Sequence, residues 1–258
     1  MMIVLPPGES EQIGQMNLTG LEQQILRMKQ ESAVQYRYDS IADLKFELTA
    51  RGKIVEAARA LYDSGVGFAT FENSRCNQDY WVRLSNGGFQ QRSDVTPAEA
   101  IRDIFHNGRK YAFECATAMV IVLYQGVMDM IGDQAFNTYF ANLVLYDWKY
   151  DSDLRINSVS GAEAFPGDVV YFKNPDFDPS MPQWQGENTI VMPDGRYYGH
   201  GIGNVTADYI IRSLNSRRKP GSTTSAYLMD DVESLDFAYT QRLSNGVARI
   251  GSSVYLLA

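Results

Sequence analysis

Tyr111-Ala112-Phe113-Glu114-Cys115-Ala116-Thr117-Ala118-Met119-Val120-Ile121-Val122-Leu123-Tyr124 decides how this chain is read. Met119 to Tyr124 is apolar on every face, and a helix apolar all round is buried on most sides. The apolar run over residues 115–131 is interrupted by Gln125, Gly126 and Asp129, which predicts a buried central helix and not a membrane span. Gly132 closes that helix, and a second one is expected over 133–142. Cys115 falls where the central helix begins. Unpaired backbone N–H groups and the helix dipole stabilise a thiolate there. The bland alternative is a buried, inert cysteine packed as a small hydrophobe.

Working outward, helices come first. Residues 8–20 read as loop and 21–31 as a short helix. Ser40 caps a longer helix with Asp43 at its third position, and Gly52 is a candidate break in it. Thr96-Pro97-Ala98-Glu99 is a capping box with proline in the first helical position. Phe68 to Phe71 reads as a short strand, and 80–84 with 89 as a hairpin about Asn86-Gly87-Gly88. Later segments are mostly strands: 143–146, 168–172 and a hairpin over 187–200. A helix over 207–214 and a final strand over 225–229 complete the pattern. Helices first and strands later is an α+β pattern, read as one domain over 1–258.

Composition narrows the function classes. The 258 residues hold 31 acidic and 23 basic side chains, for a formal net charge of -8, which argues against nucleic acid as the main partner. Two cysteines, Cys76 and Cys115, exclude a disulfide-stapled scaffold but leave one bridge open. With only His106 and His200 besides, a four-ligand zinc site would need all four residues in no recognised spacing. His106 reads as a helix-end surface histidine. The first residues carry no basic segment before their apolar stretch, so no secretion signal is expected.

His200 enters through strand geometry. If Asp194-Gly195 is a two-residue hairpin turn, His200 falls opposite Thr189. Glu187 then projects from the same face, as a diagonal neighbour roughly 7–8 Å from His200 at Cα level. Gly199, Gly201 and Gly203 suggest close approach of another segment or a substrate backbone. A structural hairpin histidine and a solvated strand-end glutamate are the plain alternatives. Together, a helix-start cysteine, a sheet histidine and a carboxylate fit the division of labour of a thiol nucleophile and its base.

Several stretches, in order, carry a resemblance. They are 36–47, Phe68-Ala69-Thr70-Phe71, 100–104, Tyr111 to Ala118, Leu145-Tyr146-Asp147-Trp148, 171–179, Gln183-Trp184-Gln185-Gly186-Glu187-Asn188, Gly199-His200-Gly201-Ile202-Gly203 and Leu214-Asn215-Ser216. From about residue 30 to about 230 the chain resembles the small calcium-independent transglutaminases of Bacillus spore coats, the protein-glutamine gamma-glutamyltransferases. The resemblance implies a papain-like or NlpC/P60-like core. It implies Cys115 as nucleophile with Glu187 and His200 as partners, and Glu187 as a base almost in its own right. It implies isopeptide cross-linking between glutamine and lysine of coat proteins, without cofactor or metal. The expected address is the spore coat, after synthesis in the cytoplasm of the sporulating cell. No nucleic acid or membrane partner is implied, and a monomer is expected.

For that chemistry, water must be kept from the thioester. Phe68, Phe71, Tyr111, Trp148, Phe177, Trp184 and Tyr198 are candidate walls, with core packing as the alternative. Glu114, beside the nucleophile, is a candidate for raising the thiol pKa or admitting a cationic lysine. The residues alone leave a peptidase or amidase open, since access sets the acceptor. They also leave open a non-enzymatic coat protein. Residues 1–20 and 236–258, with the run Gln241 to Gly246, depart from the resemblance, and Cys76 is given no role.

Overall fold

The computed structural model describes residues 2–244, 247–250 and 253–256. It is a mixed helix and sheet structure. The central helix runs Cys115–Tyr139 and breaks at Gly132, whose φ of 78° and ψ of 161° are not helical. The expected stop therefore lies where the glycine is. This helix has the length and apolarity of a membrane span, yet 72% of its most apolar window is buried inside the structure. The Ile41–Asp63 helix packs along it, uninterrupted at Gly52. Gly126 makes that approach close: a Cβ there would sit 2.7 Å from Ile54 Cγ1.

Caps follow the sequence reading. Thr96 and Glu99 form the reciprocal capping box ahead of Pro97–His106, and Ser40 Oγ accepts from Asp43 N. The first helix, Gly20–Glu31, has a capping box of its own from Thr19 and Glu22. Ser10–Gln15 is 3-10 helix where loop was expected. In the large sheet two strands escaped the reading, Ile156–Ser160 and Gly203–Thr206, as did the short strands Ile3–Val4, Tyr36–Arg37 and Ala112–Phe113. The expected final strand is longer, Tyr227–Leu235, and a Phe237–Ser244 helix and the strands Val247–Ile250 and Ser253–Leu256 follow it. The unplaced run 241–246 thus begins in that helix, and Asn245-Gly246 lie outside the described residues.

A six-stranded antiparallel sheet carries the second half of the chain. Its order is Gly203–Thr206, Arg196–Gly199, Gly186–Val191, Val169–Lys173, Tyr227–Leu235, Ile156–Ser160. Strand Gly186–Val191 packs against the central helix. A two-stranded parallel pair, Gly67–Phe68 with Ala112–Phe113, delivers the chain to Cys115.

The hairpin register differs from expectation by one residue. Thr189 faces Gly199, not His200. Pro193-Asp194-Gly195 form a three-residue loop closed by Met192 N–H to Arg196 O, with Asp194 itself left-handed at φ 61°. The loop includes Pro193, so every pairing beyond it moves by one position.

Charged side chains bind the helices to the sheet. Arg51 donates to Glu47 Oε1 at 2.7 Å and to Asp168 Oδ1 at 2.8 Å, and Lys29 Nζ lies 2.9 Å from Glu47 Oε1. Tyr38 donates to the other Glu47 oxygen, and Asp168 also accepts from Phe165 N. All four charged groups are buried.

Candidate active site

Glu114 ends the short parallel strand pair in extended backbone and Cys115 starts the helix. The thiol is 7% exposed and opens onto a cleft of about 550 Å³. Thr70, Phe71, Glu114, Asp147, Tyr171, Gln183, Gln185 and Asn188 line this cleft. Both cysteines are free, so the open bridge does not form.

Glu187 stands on the facing strand, 2% exposed. Its side chain fills the space that Gly199 leaves: a Cβ at Gly199 would lie 2.9 Å from Glu187 Oε1. The glycine therefore makes room for the glutamate, where the sequence suggested a substrate backbone. Among the described residues Oε1 has no hydrogen-bond partner. Burial pushes the Glu187 carboxyl well above the usual 4.5, and the charge of Glu114 adds to it. Glu114 itself is pushed up to about 7, by burial and then by Asp147.

Burial raises the Cys115 thiol to about 12, and the nearby charges of Glu187 and Glu114 act the same way. The opposing influence is Asn188, whose amide Nδ2 approaches Sγ at 3.6 Å. These influences favour the protonated thiol, beside a carboxyl whose own affinity for a proton is raised.

His200 is placed differently from the reading. Its Nε2 is 3.0 Å from Gly67 O and its Nδ1 is 3.4 Å from Tyr198 OH. A carbonyl only accepts, so Nε2 carries the proton and Nδ1 accepts from the tyrosine. Among the described residues no hydrogen bond joins His200 to Cys115 or Glu187. Its ring stacks on Phe113 with centroids 5.0 Å apart. Burial lowers its pKa to about 4, against the raising effect of the Gly67 and Phe113 backbone, so the ring is neutral at pH 7.

The aromatic candidates divide. Phe71 and Glu114 line the Cys115 cleft. Tyr198 and His200 line a second cavity of about 260 Å³ with Tyr62 and Gly201. Phe68 lies between the two, stacked with Trp184 at 6.4 Å and tilted on His200 at 6.1 Å. Trp148 meets Tyr150 edge-on and packs on the core, lining neither cavity, while Tyr111 is buried with its hydroxyl on Asp103. Phe177 bridges to Arg218 in the loop beyond strand Val169–Lys173. Asn188 and Tyr171 are site residues the sequence reading passed over. Strand alternation set Asn188 on the face opposite Glu187, and no local signal marks Tyr171. His106 is exposed at its helix end, as expected. Cys76 is half-buried, donates to Trp81 O and is pushed up to about 11 by burial.

A helix-start thiol and an amide donor on one open cleft, with the buried Glu187 carboxyl near enough to act on the thiol, make an arrangement suited to acyl transfer through a thioester. The comparisons give that class a family. The model of the protein-glutamine gamma-glutamyltransferases matches residues 2–244. A protein-glutamine gamma-glutamyltransferase of Bacillus pumilus is 44% identical over 244 residues, 94% of this chain and 99% of that one. One from Halalkalibacterium halodurans is 45% identical over 208 residues, 81% of this chain and 73% of that one. The solved transglutaminase of Geobacillus stearothermophilus, without its C-terminal extension, has a TM-score of 0.75 and 52% identity, covering 81% of this chain and 98% of that one. The chain belongs to the protein-glutamine gamma-glutamyltransferase family, the transglutaminases.

Proposed function

We propose that this chain joins glutamine and lysine side chains of spore coat proteins through ε-(γ-glutamyl)lysine bonds, with Cys115 as nucleophile and Glu187 as base. The observation that carries the assignment of roles is the buried Glu187 carboxyl, whose Oε1 has no hydrogen-bond partner among the described residues and which lies close enough to raise the Cys115 thiol. The Cys115 sulfur attacks the glutamine carboxamide carbon while Glu187 takes the thiol proton. As the C–N bond breaks, that proton passes to nitrogen and ammonia leaves a thioester. A lysine amine then attacks, gives a proton to Glu187 and releases the thiol. A base tuned upward from 4.5 works nearer neutral pH than an exposed glutamate.

His200 acts here as a positioning residue. Its two ring nitrogens are committed to Gly67 and Tyr198, and it holds the Phe113 end of the strand that leads into Cys115. The Phe68–Trp184 stack, with Trp184 set between the cleft residues Gln183 and Gln185, is assigned the shielding of the thioester from water, so that amine and not water resolves it. A papain-like or NlpC/P60-like core is supported by the helix-start cysteine packed on an antiparallel sheet. Acidic net charge suits lysine-rich partners in the coat. The chain works without cofactor or metal, as a monomer.

Coat proteins extracted from spores that lack the enzyme test this reading. Isopeptide-linked glutamine–lysine peptides are expected by mass spectrometry after addition of the wild type. None are expected with Cys115→Ala, whose fold stays intact. Cross-links formed equally by Cys115→Ala would overturn the assignment of the nucleophile.

A further inference from the structure

The largest influences on the Cys115 sulfur raise its pKa, with one residue acting against them. Burial, Glu187 and Glu114 all oppose a negative sulfur, and among the side chains acting on it Asn188 favours it, through both its side-chain amide and its main-chain N–H. The side chain lines the 550 Å³ cleft, with Nδ2 at 3.6 Å from Sγ. Among the described residues that amide donates to no other acceptor. Asn188 directly follows Glu187 on strand Gly186–Val191, which pairs on both sides with its neighbours, so the donor is fixed to a rigid element.

We propose that Asn188 is a catalytic residue. Its donors stabilise the thiolate as it forms and then the oxyanion of the tetrahedral intermediate, making it the subsite for the carbonyl oxygen of the glutamine carboxamide. The proposal rests on the acyl-transfer reading above.

The step balances without a further reactant. As the Sγ–C bond forms, the carbonyl π pair moves onto oxygen, one bond away from the carbon now attached to sulfur. The thiol proton is on Glu187. The amide's two N–H groups serve sulfur and oxygen in turn, together with the unpaired N–H groups at the start of the Cys115 helix. When the oxygen lone pair returns, the C–N bond breaks and ammonia departs with the proton from Glu187. The same donors meet the second oxyanion when the lysine amine attacks the thioester. Donors fixed where charge develops, in a site shielded from water, stabilise the transition state more than the bound substrate.

Asn188→Ala and the similarly sized, uncharged Asn188→Leu, both made in a Cys76→Ala background, test the proposal. Three quantities are read: the rate of ammonia release from a glutamine peptide, the pH dependence of Cys115 alkylation by iodoacetamide, and the thermal midpoint. Ammonia release is expected to fall on the order of 10²–10³-fold, mainly in kcat, as for loss of one oxyanion donor. The alkylation profile is expected to shift to higher pH, with little change in the thermal midpoint. A packing role would move the midpoint and leave the alkylation profile in place. Asn188→Leu keeps the size, adds no charge and removes only the side-chain donors, so it decides the matter if the alanine variant fails to fold. Ammonia release within about threefold of the parent in both variants, with an unmoved alkylation profile, would overturn the proposal, since one lost donor should cost far more. If the parent releases no ammonia at all, the transferase reading fails instead, and the alkylation profile still decides whether Asn188 stabilises the thiolate.

Discussion

Glu47 and Glu187 are buried to a similar depth and held in opposite states. Burial pushes both upward. At Glu47, Arg51 and Lys29 more than reverse this and hold the carboxyl at about 2. At Glu187 no cation among the described residues offsets burial, the charge of Glu114 adds to it, and the carboxyl rises. The partner, not the depth, decides whether a buried carboxylate is a fixed brace or a proton carrier. One cluster ties the helices to the sheet. The other is kept unpaired beside a thiol, which is where an acid–base group has to be poised.

The sharpest way to break the comparison is Glu187→Gln. It should reduce kcat on the order of 10²–10⁴-fold, the value of a general base, measured as amine incorporation into a glutamine peptide. It should also raise the thermal midpoint at neutral and alkaline pH. The folded-state pKa of Glu187 lies above its unfolded value. Its contribution to stability is therefore present at low pH and lost as pH rises through the folded value, and the amide does not suffer that loss.

Arg51→Met should do the reverse. Stripping the shared cation from Glu47 and Asp168 should destabilise the fold by about 3–5 kcal/mol in urea titration, since each carboxylate is left buried without its main partner. Chemistry per folded molecule should hardly change. In the wild type, the stabilisation from Glu47 is present above its unfolded value of 4.5 and lost as pH falls towards about 2.

His200 sharpens the contrast from the side of a base. Its folded pKa of about 4 lies below 6.5, so its stabilisation is present above 6.5 and lost as pH falls towards 4. His200→Asn should flatten the dependence of the thermal midpoint on pH across that window. It should not move the acid limb of kcat/KM, which belongs to the carboxylates.

The smallest effect is expected at the outer end of the aromatic stack. Arg217 lies 3.7 Å over Trp184 and is anchored to Ser213, so Arg217→Ala should loosen Trp184 against Phe68. A cation–π contact of about 1 kcal/mol corresponds to about a fivefold fall in the ratio of amine transfer to hydrolysis. Parallel assays of amine incorporation and deamidation measure it.

Local rules made much of this legible. The Thr96 capping box, the Ser40 cap, the Gly132 stop and Cys115 at a helix start are all matters of neighbouring residues, and each stands where expected. What failed depended on distance or on one extra residue. Pro193 joined the hairpin loop and moved the register, which put Gly199 and not His200 across from Thr189. The reason for Gly199 was out of sight because the Glu187 side chain reaches it from the next strand. Asn188 was hidden by strand alternation, since both it and Glu187 affect the same sulfur. Arg51 and Asp168 are 117 residues apart, and no pattern in either segment announces the pair.

The most direct measurement combines the purified protein, a glutamine-bearing protein and a labelled primary amine, with chelator present and Cys115→Ala as control. Label incorporation and ammonia release are followed together by mass spectrometry. The account expects incorporation matched by ammonia in the wild type, and neither in the variant. Deamidation or cleavage at saturating amine, with no label incorporated, would contradict it and make this site that of a hydrolase.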